Sequence, residues 1–129
     1  LVGACAIGEG PTSARTILDD GRAWRKLQAI CEAQGGMRIP PTASQRVEMT
    51  ARQSGMVTGF DNRRLARAAK LAGAPTAAAA GIDLHVRIGT KVDAAQPLFT
   101  LQAETPGELS YAQEYLAVHP EIVAIGEMP

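Results

Sequence analysis

The chain has 129 residues, enough for one compact domain with its own core, and 46% of them are hydrophobic, as in ordinary soluble proteins. Its 13 basic and 13 acidic residues cancel, so charge gives no case for binding nucleic acid or an anionic membrane. Cys5 and Cys31 lack the spacing of a zinc site or a disulfide framework, and no run is apolar enough to span a membrane, which favours a cytoplasmic protein with reduced thiols.

The chain is predicted to open with helical segments. The first residues, LVGACAIGEGP, lack the basic segment of a signal peptide, and we interpret them as the end of a helix in a longer protein. Residues 11–13 are typical of a helix start, and a short helix is predicted over residues 14–20.

A second helix is predicted from Gly21 to Gln34. Asp20 has a side chain suited to cap its start, and the pair Gly35-Gly36 supplies a left-handed stop. Apolar residues recur along this helix at the three-and-four spacing of one buried face. They are Trp24, Leu27, Ile30 and Cys31.

A change in composition marks a domain boundary near residues 35–43. The prolines of the stretch MRIPPTAS are typical of an extended linker. We therefore divide the chain into helices over residues 1–36, a linker over residues 37–43 and a second domain over residues 44–129.

Two strands and a helix are predicted at the start of this second domain. The stretch QRVEMTAR alternates between polar and apolar residues and ends before a Ser-Gly turn, and MVTGF makes the next strand. Asp61 is a good N-cap for the helix NRRLARAAKLAG.

The two faces of this helix differ in chemistry. One face is narrow, made of small residues suited to close packing on a sheet: Leu65, Ala68, Ala69 and Ala72. The other face carries four cations: Arg63, Arg64, Arg67 and Lys70. These cations could bind a phosphate, but in a neutral chain a solvent-exposed helix face is the better interpretation.

The next predicted elements are two strands joined by a turn. After the small-residue loop TAAAAG, the stretch IDLHV alternates, so Asp83 and His85 share one face. Gly89 supports a tight turn, and the stretch PLFTLQA forms the next strand, with a proline at its start where a missing N–H is tolerated.

A helix and a final strand complete the prediction. Thr105 begins a helix that runs through Val118, with Pro106 just inside it. Its inner stripe consists of Leu109, Ala112 and Leu116. With EIVAIG as the last strand, the element order is β-β-α-β-β-α-β, which favours an α+β fold over a doubly wound sheet.

One stretch raises the possibility of a swinging-arm carrier. Residues from Ile88 to Ala103 resemble biotinyl and lipoyl domains, in which a modified lysine follows at a hairpin tip. Thr105 stands at that position, and a hydroxyl cannot form the stable amide that anchors biotin or lipoate. Lys91 lies too early, in the preceding turn, so a carrier is a disfavoured alternative.

Two histidines are candidate site residues. Asp83 and His85 could be an acid–base pair or two metal ligands, but two residues on one strand face are too few for a site. We interpret them as a polar strand face with a partly exposed histidine. His119 precedes Pro120 at a helix end, where an imidazole can interact with free carbonyls, which is a structural role.

No catalytic, cofactor-binding or metal-ligating residue follows from these spacings. Gly3, Gly8 and Gly10 suggest a phosphate loop only faintly, because no Walker pattern and no lysine follow them. No Ser-His-Asp, Cys-His or paired-carboxylate arrangement can be argued. The residues alone indicate a binding, docking or structural module.

Three segments together resemble a known enzyme family. ILDDGRAWRKLQAICEAQGG, GMVTGFDNRRLARAAKLAGAP and AGIDLHVRIGTKVDAAQPLFTLQAE resemble, in order, the C-terminal region of thymidine phosphorylases and related pyrimidine nucleoside phosphorylases. The similarity extends over nearly all the chain from about Thr12 and is close to the long subgroup that includes archaeal AMP phosphorylases.

The resemblance implies a fold for each part of the chain. Residues 44–129 would form the family's C-terminal α/β-hammerhead domain, a relative of the barrel-sandwich carriers. Residues 1–36 would be the final helices of the preceding α/β domain.

The resemblance also implies an activity for the full-length protein. That activity would be phosphorolysis of thymidine or another pyrimidine nucleoside to the free base and ribose or deoxyribose 1-phosphate. Phosphate and nucleoside would bind to upstream domains, without a cofactor, and no catalytic residue maps onto this chain.

This family resemblance assigns the present chain a supporting role. The C-terminal domain would act as a scaffold and an assembly element in a homodimer or larger oligomer, and the chain alone would be inactive. Thymidine, uridine and AMP are all open as substrates of the full-length enzyme.

Four positions depart from the family's pattern. Thr90 replaces a usual Asp, Ala94-Ala95 replaces a common Lys-Gly pair, and Gln102 replaces a frequent His. The loss of the glycine bears on the shape of one turn, and the loss of the histidine argues against a metal or catalytic role on that strand.

Overall fold

The computed structural model describes residues 8–127, which form two units, one ending at Ile39 and the other beginning at Pro40. The predictions that concern residues 1–7, including those for Gly3 and Cys5, lie outside the described residues. None of the helices in the described part is long and apolar enough to cross a membrane.

The first unit consists of two helices, α1 at Gly10–Asp19 and α2 at Arg22–Ala33. α1 begins earlier than predicted, because Pro11 is tolerated within a first helical turn. α2 agrees with the prediction to within one residue at each end. Gly35 and Gly36, which follow α2, both have a φ of 98°, so the predicted left-handed stop is confirmed.

The start of α2 differs slightly from the predicted cap. The N-cap residue is Gly21, at a φ of 77°, and Asp20 acts from one position earlier. Its carboxylate accepts hydrogen bonds from the Arg22 backbone N–H at 3.0 Å and from Arg22 Nε at 2.7 Å. The backbone hydrogen bond, assisted by the guanidinium, lowers the pKa of Asp20 below its ordinary value.

The apolar face predicted to be buried on α2 is in fact half exposed. Trp24, Leu27 and Ile30 are 53%, 46% and 44% exposed, and neither α1 nor α2 contains a buried residue. The prediction of a buried face was therefore wrong for these side chains, and Cys31 is only partly buried. Helices bury an apolar stripe against a further layer of structure, which two short helices do not supply.

Between residues 40 and 127, the second unit contains six strands, two helices and one 3-10 helix. The strands are β1 (Gln45–Thr50), β2 (Gly55–Phe60), β3 (Gly81–Leu84), β4 (Lys91–Val92), β5 (Pro97–Ala103) and β6 (Val123–Gly126). The helices are α3 (Asn62–Leu71) and α4 (Pro106–Ala117), with the 3-10 helix at Pro120–Ile122.

The strands form two three-stranded antiparallel sheets, with strand orders β1-β5-β3 and β4-β2-β6. This mixture of antiparallel sheets and helices confirms the predicted α+β class. β4 was not predicted, because two residues are too few to show an alternating pattern.

The core of the second unit surrounds β5. Residues 98–101 of this central strand are all buried, and the largest fully buried side chains are Phe99, Leu101 and Val57. The small face of α3 packs mainly against α4 rather than against a sheet, with Ala68 and Ala112 both fully buried. Alanine side chains are small, so two helices that meet at alanines can pack closely.

The predicted cap at Asp61 is confirmed, and Thr105, predicted only as the start of a helix, also acts as a cap. Asp61 accepts a hydrogen bond from the backbone N–H of Arg64 at 3.0 Å, and Thr105 accepts one from that of Glu108 at 3.3 Å. Pro106 occupies the first turn of α4, where its missing N–H is tolerated.

Two turns connect β3 to β5. Gly89 has a φ of 87°, which confirms the predicted tight turn. In the turn before β5, Ala95 has a φ of 68°, although left-handed backbone favours glycine. The backbone N–H of Gln96 donates to the Asp93 carbonyl at 3.1 Å and that of Ala95 to the Ala51 carbonyl at 2.8 Å. These bonds hold the turn in place without the glycine.

Candidate functional site

Polar side chains collect on one face of the sheet β1-β5-β3. Antiparallel pairing places Thr100 of β5 between Glu48 of β1 and Asp83 of β3, and Arg46 beside Gln102. We call this the polar sheet face, and it comprises Arg46, Glu48, Asp83, His85, Thr100 and Gln102.

Asp83 and His85 each bond to β5 on this face. Gln102 Nε2 donates a hydrogen bond to Asp83 Oδ2, and Arg46 Nη2 lies 3.9 Å from the same oxygen. His85 Nε2 lies 2.7 Å from Oγ1 of Thr100, which is only 6% exposed. The two residues thus share a face, as predicted, but the side chain of each forms a hydrogen bond with a residue of the neighbouring strand β5.

The polar sheet face has the features of a structural network more than of a reaction centre. Asp83 and His85 are exposed on an open sheet and do not line the two concavities of this unit described below. Within residues 8–127, no three His, Cys, Asp or Glu side chains come together as a metal site would require. The network's chemistry is that of cross-strand hydrogen bonding.

The position of a carrier's modified lysine is used here as a helix cap. Thr105 Oγ1 donates to Glu108 Oε2 at 2.7 Å and accepts from the Glu108 backbone N–H, so both partners satisfy each other at the start of α4. Lys91 lies in β4, where it pairs with Met56 of β2. Both residues are therefore integrated into local structure.

His119 packs on a neighbouring aromatic ring. Its ring centroid lies 4.5 Å from that of Tyr115, with an angle of 62° between the ring planes. Its backbone N–H donates to the Leu116 carbonyl at the end of α4. The ring thus has a structural role, as predicted, but its contact is an edge-to-face aromatic pair.

An apolar cleft of about 420 Å³ lies between the end of β1, β6 and the 3-10 helix. Its floor includes Met49, Phe99 and Ile122, and Arg52 and Glu121 lie among its polar lining residues. The volume falls within the range of small-molecule sites, but two of the polar lining residues already have partners in the domain: Glu121 pairs with Arg64, and Gln53 donates to the Ile125 carbonyl. Sequence patterns gave no sign of this cleft, because residues far apart in the chain build it.

A second concavity, of about 740 Å³, lies along α3 and is called here the α3 concavity. It is lined by Asp61, Arg63, Arg64, Ala66, Arg67, Lys70, Leu71 and Tyr115. Arg64 differs from the other three cations, since it is half-buried and forms ion pairs with Asp61 at 3.5 Å and with Glu121. The predicted outward face is confirmed for Arg63, Arg67 and Lys70, which are exposed.

Comparison with known families identifies one match. Residues 56–122, just over half of the chain, match the model of the pyrimidine nucleoside phosphorylase C-terminal domain. The matched range begins in β2 and ends with the 3-10 helix, so it contains α3, β3, β4, β5 and α4 but not β1.

Several curated proteins are similar over almost the whole chain. The protein named "Putative thymidine phosphorylase" from Polaromonas sp. is 59% identical over 97% of this chain and 24% of its own length. "Putative thymidine phosphorylase 1" from Acidovorax sp. is 56% identical over 98% of the chain and 25% of its own length. "Putative thymidine phosphorylase" from Maricaulis maris is 52% identical over 96% of this chain and 24% of its own length. The chain thus spans about a quarter of the length of these relatives.

Proposed function

The chain belongs to the pyrimidine nucleoside phosphorylase C-terminal domain family, and we propose that it is the non-catalytic C-terminal part of a thymidine phosphorylase. One observation carries this proposal. The chain matches a relative at 59% identity over 97% of its own residues but accounts for only 24% of that relative. Three quarters of the relative's length is therefore available to hold an active site.

The bonding of the polar residues supports a role without catalysis. Asp83, His85 and Thr105 each bond to a neighbour within the domain, and the first two lie on an open sheet rather than in a water-excluding cleft. Phosphorolysis needs positive groups that hold the attacking phosphate and stabilise the negative charge that develops on the departing base. We assign those groups to the upstream domains.

We assign the α/β-hammerhead fold to residues 44–129, with residues 37–43 as the linker. Its two antiparallel sheets and its central, doubly buried strand β5 support this assignment. Residues 1–36 are assigned to the preceding α/β domain as its final helices. The half-exposed stripe of α2 supports this second assignment, because a helix with such a face needs a further layer to cover it.

The proposed role of this domain is to support closure and assembly of the enzyme. In the full-length protein, phosphate and a pyrimidine nucleoside would bind to the upstream domains and yield the free base and a pentose 1-phosphate. Domain closure often gates such turnover. We place the enzyme in the cytoplasm as a homodimer or larger oligomer, without a cofactor.

A phosphorolysis assay tests the proposal with three proteins: the longer parent, the 129-residue chain, and the parent lacking residues 44–129. Each is incubated with phosphate and thymidine, uridine or AMP, and release of the free base is measured. We expect the parent to release thymine and the 129-residue chain to release no base. The deletion is expected to lower the activity or the oligomeric size of the parent.

Each part of the proposal has its own contradicting result. Base release by the 129-residue chain would contradict the non-catalytic role, and no release by the parent would contradict the phosphorylase activity. If the parent prefers AMP, the proposed activity is AMP phosphorylase rather than thymidine phosphorylase. Unchanged activity and size after the deletion would contradict the supporting role.

A further inference from the structure

Three exposed cations on α3 take no part in the packing of the domain. Arg63, Arg67 and Lys70 follow one another at spacings of four and three residues, so they lie along one side of the helix. All three line the α3 concavity. In the described part of the chain, no ion pair joins any of them to a carboxylate.

The carboxylates at this end of α3 do not neutralise the three cations. Asp61 lines the concavity, but it accepts the Arg64 backbone N–H as the helix cap and forms an ion pair with Arg64 Nε at 3.5 Å. Glu121 also pairs with Arg64. Arg64 pairs with both carboxylates but balances only one of their two charges, so the four cations of α3 together with Asp61 and Glu121 leave a net local charge of about +2 on a chain with no net charge.

The size and the walls of the concavity limit what it can hold. Arg63 and Lys70 are about 10 Å apart along the helix axis, at a rise of about 1.5 Å per residue. The volume of about 740 Å³ lies within the range of small-molecule sites. Leu71 and Tyr115 add apolar surface, and the Tyr115 ring is held at its edge by His119.

We propose that the α3 concavity binds a compact organic phosphate that carries at least two negative charges. Its phosphoryl oxygens accept hydrogen bonds from Arg63, Arg67 and Lys70, since guanidinium groups match phosphate in a planar, two-bond geometry. Its ring lies against Tyr115 and Leu71. This site is separate from the proposed phosphorolysis, which is assigned to other domains.

A compact ligand fits the observations better than a polymer does. Nucleic acid is held by many phosphate contacts over a wide basic surface, whereas this chain is neutral and its cations are confined to about two turns of helix. The apolar wall formed by Tyr115 further favours a phosphate attached to a ring.

The probe for a test is ADP, titrated to about 1 mM into the isotope-labelled 129-residue chain and followed by the NMR shifts of backbone amides. We expect saturable shifts confined to α3 and to residues near Tyr115. Arg67→Gln should weaken ADP binding by about tenfold or more, because one charge-assisted contact is lost. Arg87→Gln removes the same charge from an exposed arginine outside the concavity and should change the affinity less than about twofold.

Two further probes separate the phosphate from the ring. Adenosine should not bind detectably, because it lacks the charges, and pyrophosphate should bind at least about tenfold more weakly than ADP, because it has two phosphoryl groups but lacks the ring. Circular dichroism of both variants confirms that they are folded.

Several results would overturn the proposal. Absence of ADP-dependent shifts in α3, or an equal loss of affinity in Arg67→Gln and Arg87→Gln, would exclude a specific site. Pyrophosphate or adenosine that binds as tightly as ADP would exclude an organic phosphate as the ligand. Tighter binding of a single-stranded oligonucleotide or an oligoglutamate peptide would assign the surface to a polymer instead.

Discussion

α2 and α4 are both helices of twelve residues with a predicted inner stripe, yet only one of them buries it. In α4, Ala112 and Leu116 are buried against the core around β5, whereas in α2 Trp24 and Leu27 are about half exposed. The difference shows that periodicity indicates which face of a helix is apolar but not whether a covering layer exists. In the second unit the covering layer is in the same chain, and in the first unit we assign it to the longer protein.

The largest expected contrast is between a core leucine and a leucine of α2. Leu101→Ala removes a fully buried side chain next to Phe99 and should lower the free energy of unfolding by about 2–5 kcal/mol. Leu27→Ala, at a side chain that is 46% exposed, should lower it by less than about 1 kcal/mol. Urea denaturation followed by circular dichroism measures both, and equal losses would contradict the comparison.

Close backbone packing in the second unit gives the next largest effect. A methyl group at Gly55 would collide with the carbonyl oxygen of Gly126 and lie 2.6 Å from Ile125 Cγ2. Gly55→Ala should therefore lower the free energy of unfolding by about 1–3 kcal/mol. Gly59→Ala is the matched control in the same strand, because nothing lies within 4 Å of its added methyl group. A thermal melt in which both variants are equally destabilised would refute the close approach of β2 and β6.

The cap of α4 should contribute a smaller amount. Thr105→Ala removes the acceptor for the Glu108 backbone N–H and should lower the free energy of unfolding by about 1 kcal/mol. Thr105→Ser keeps the hydroxyl and should retain most of the stability. If serine and alanine have the same effect in urea denaturation, the hydroxyl is not the stabilising group.

A gain of stability is expected at the turn before β5. Ala95 has a φ of 68°, and glycine adopts this left-handed conformation without the strain that a Cβ causes. Glycine also gives the unfolded chain more conformational entropy, which offsets part of this gain. Ala95→Gly should therefore raise the free energy of unfolding by about 0.5 kcal/mol. Ala94→Gly is the control, since Ala94 has no positive φ and should only lose stability. A loss in both variants would contradict the strain assigned to Ala95.

The smallest effect is expected in the first unit, at Asp20. Its pKa is lowered by the Arg22 backbone N–H, so its stabilisation of α2 is present above the ordinary pKa and is lost as the pH falls through the lowered value. An NMR titration of the Asp20 carboxyl group should give a pKa below the ordinary value. The same pKa as in a denatured chain would show that the hydrogen bond does not persist in solution.

Features set by neighbouring residues were predicted well from the sequence. The cap at Asp61, the helix start at Thr105, the left-handed glycines after α2 and the turn at Gly89 each depend on a few adjacent residues. Their chemistry is local, so the sequence contains all of it. The element order of the second unit also follows from local patterns, apart from the two-residue β4 and the 3-10 helix at Pro120–Ile122, whose last two residues were predicted as part of the final strand.

Features set by distant residues were not predictable in the same way. The pairing of β5 with both β1 and β3 decides that Gln102 bonds to Asp83 and that Thr100 bonds to His85. The ion pair of Arg64 with Glu121 spans 57 positions and separates this cation from the other three on α3. Sequence patterns place residues on a face of a strand or helix, but the partner across that face depends on the fold.

Hydrogen exchange on the 129-residue chain and on the longer parent protein tests the central claim most directly. The claim is that the second unit carries its own core, whereas the helices of the first unit belong to the preceding domain. In the 129-residue chain, we expect amides of β5 and α4 to be protected and those of α2 to exchange rapidly. In the parent, the α2 amides should become protected as well. Equal protection of α2 and β5 in the chain alone, or an α2 that stays unprotected in the parent, would contradict the account.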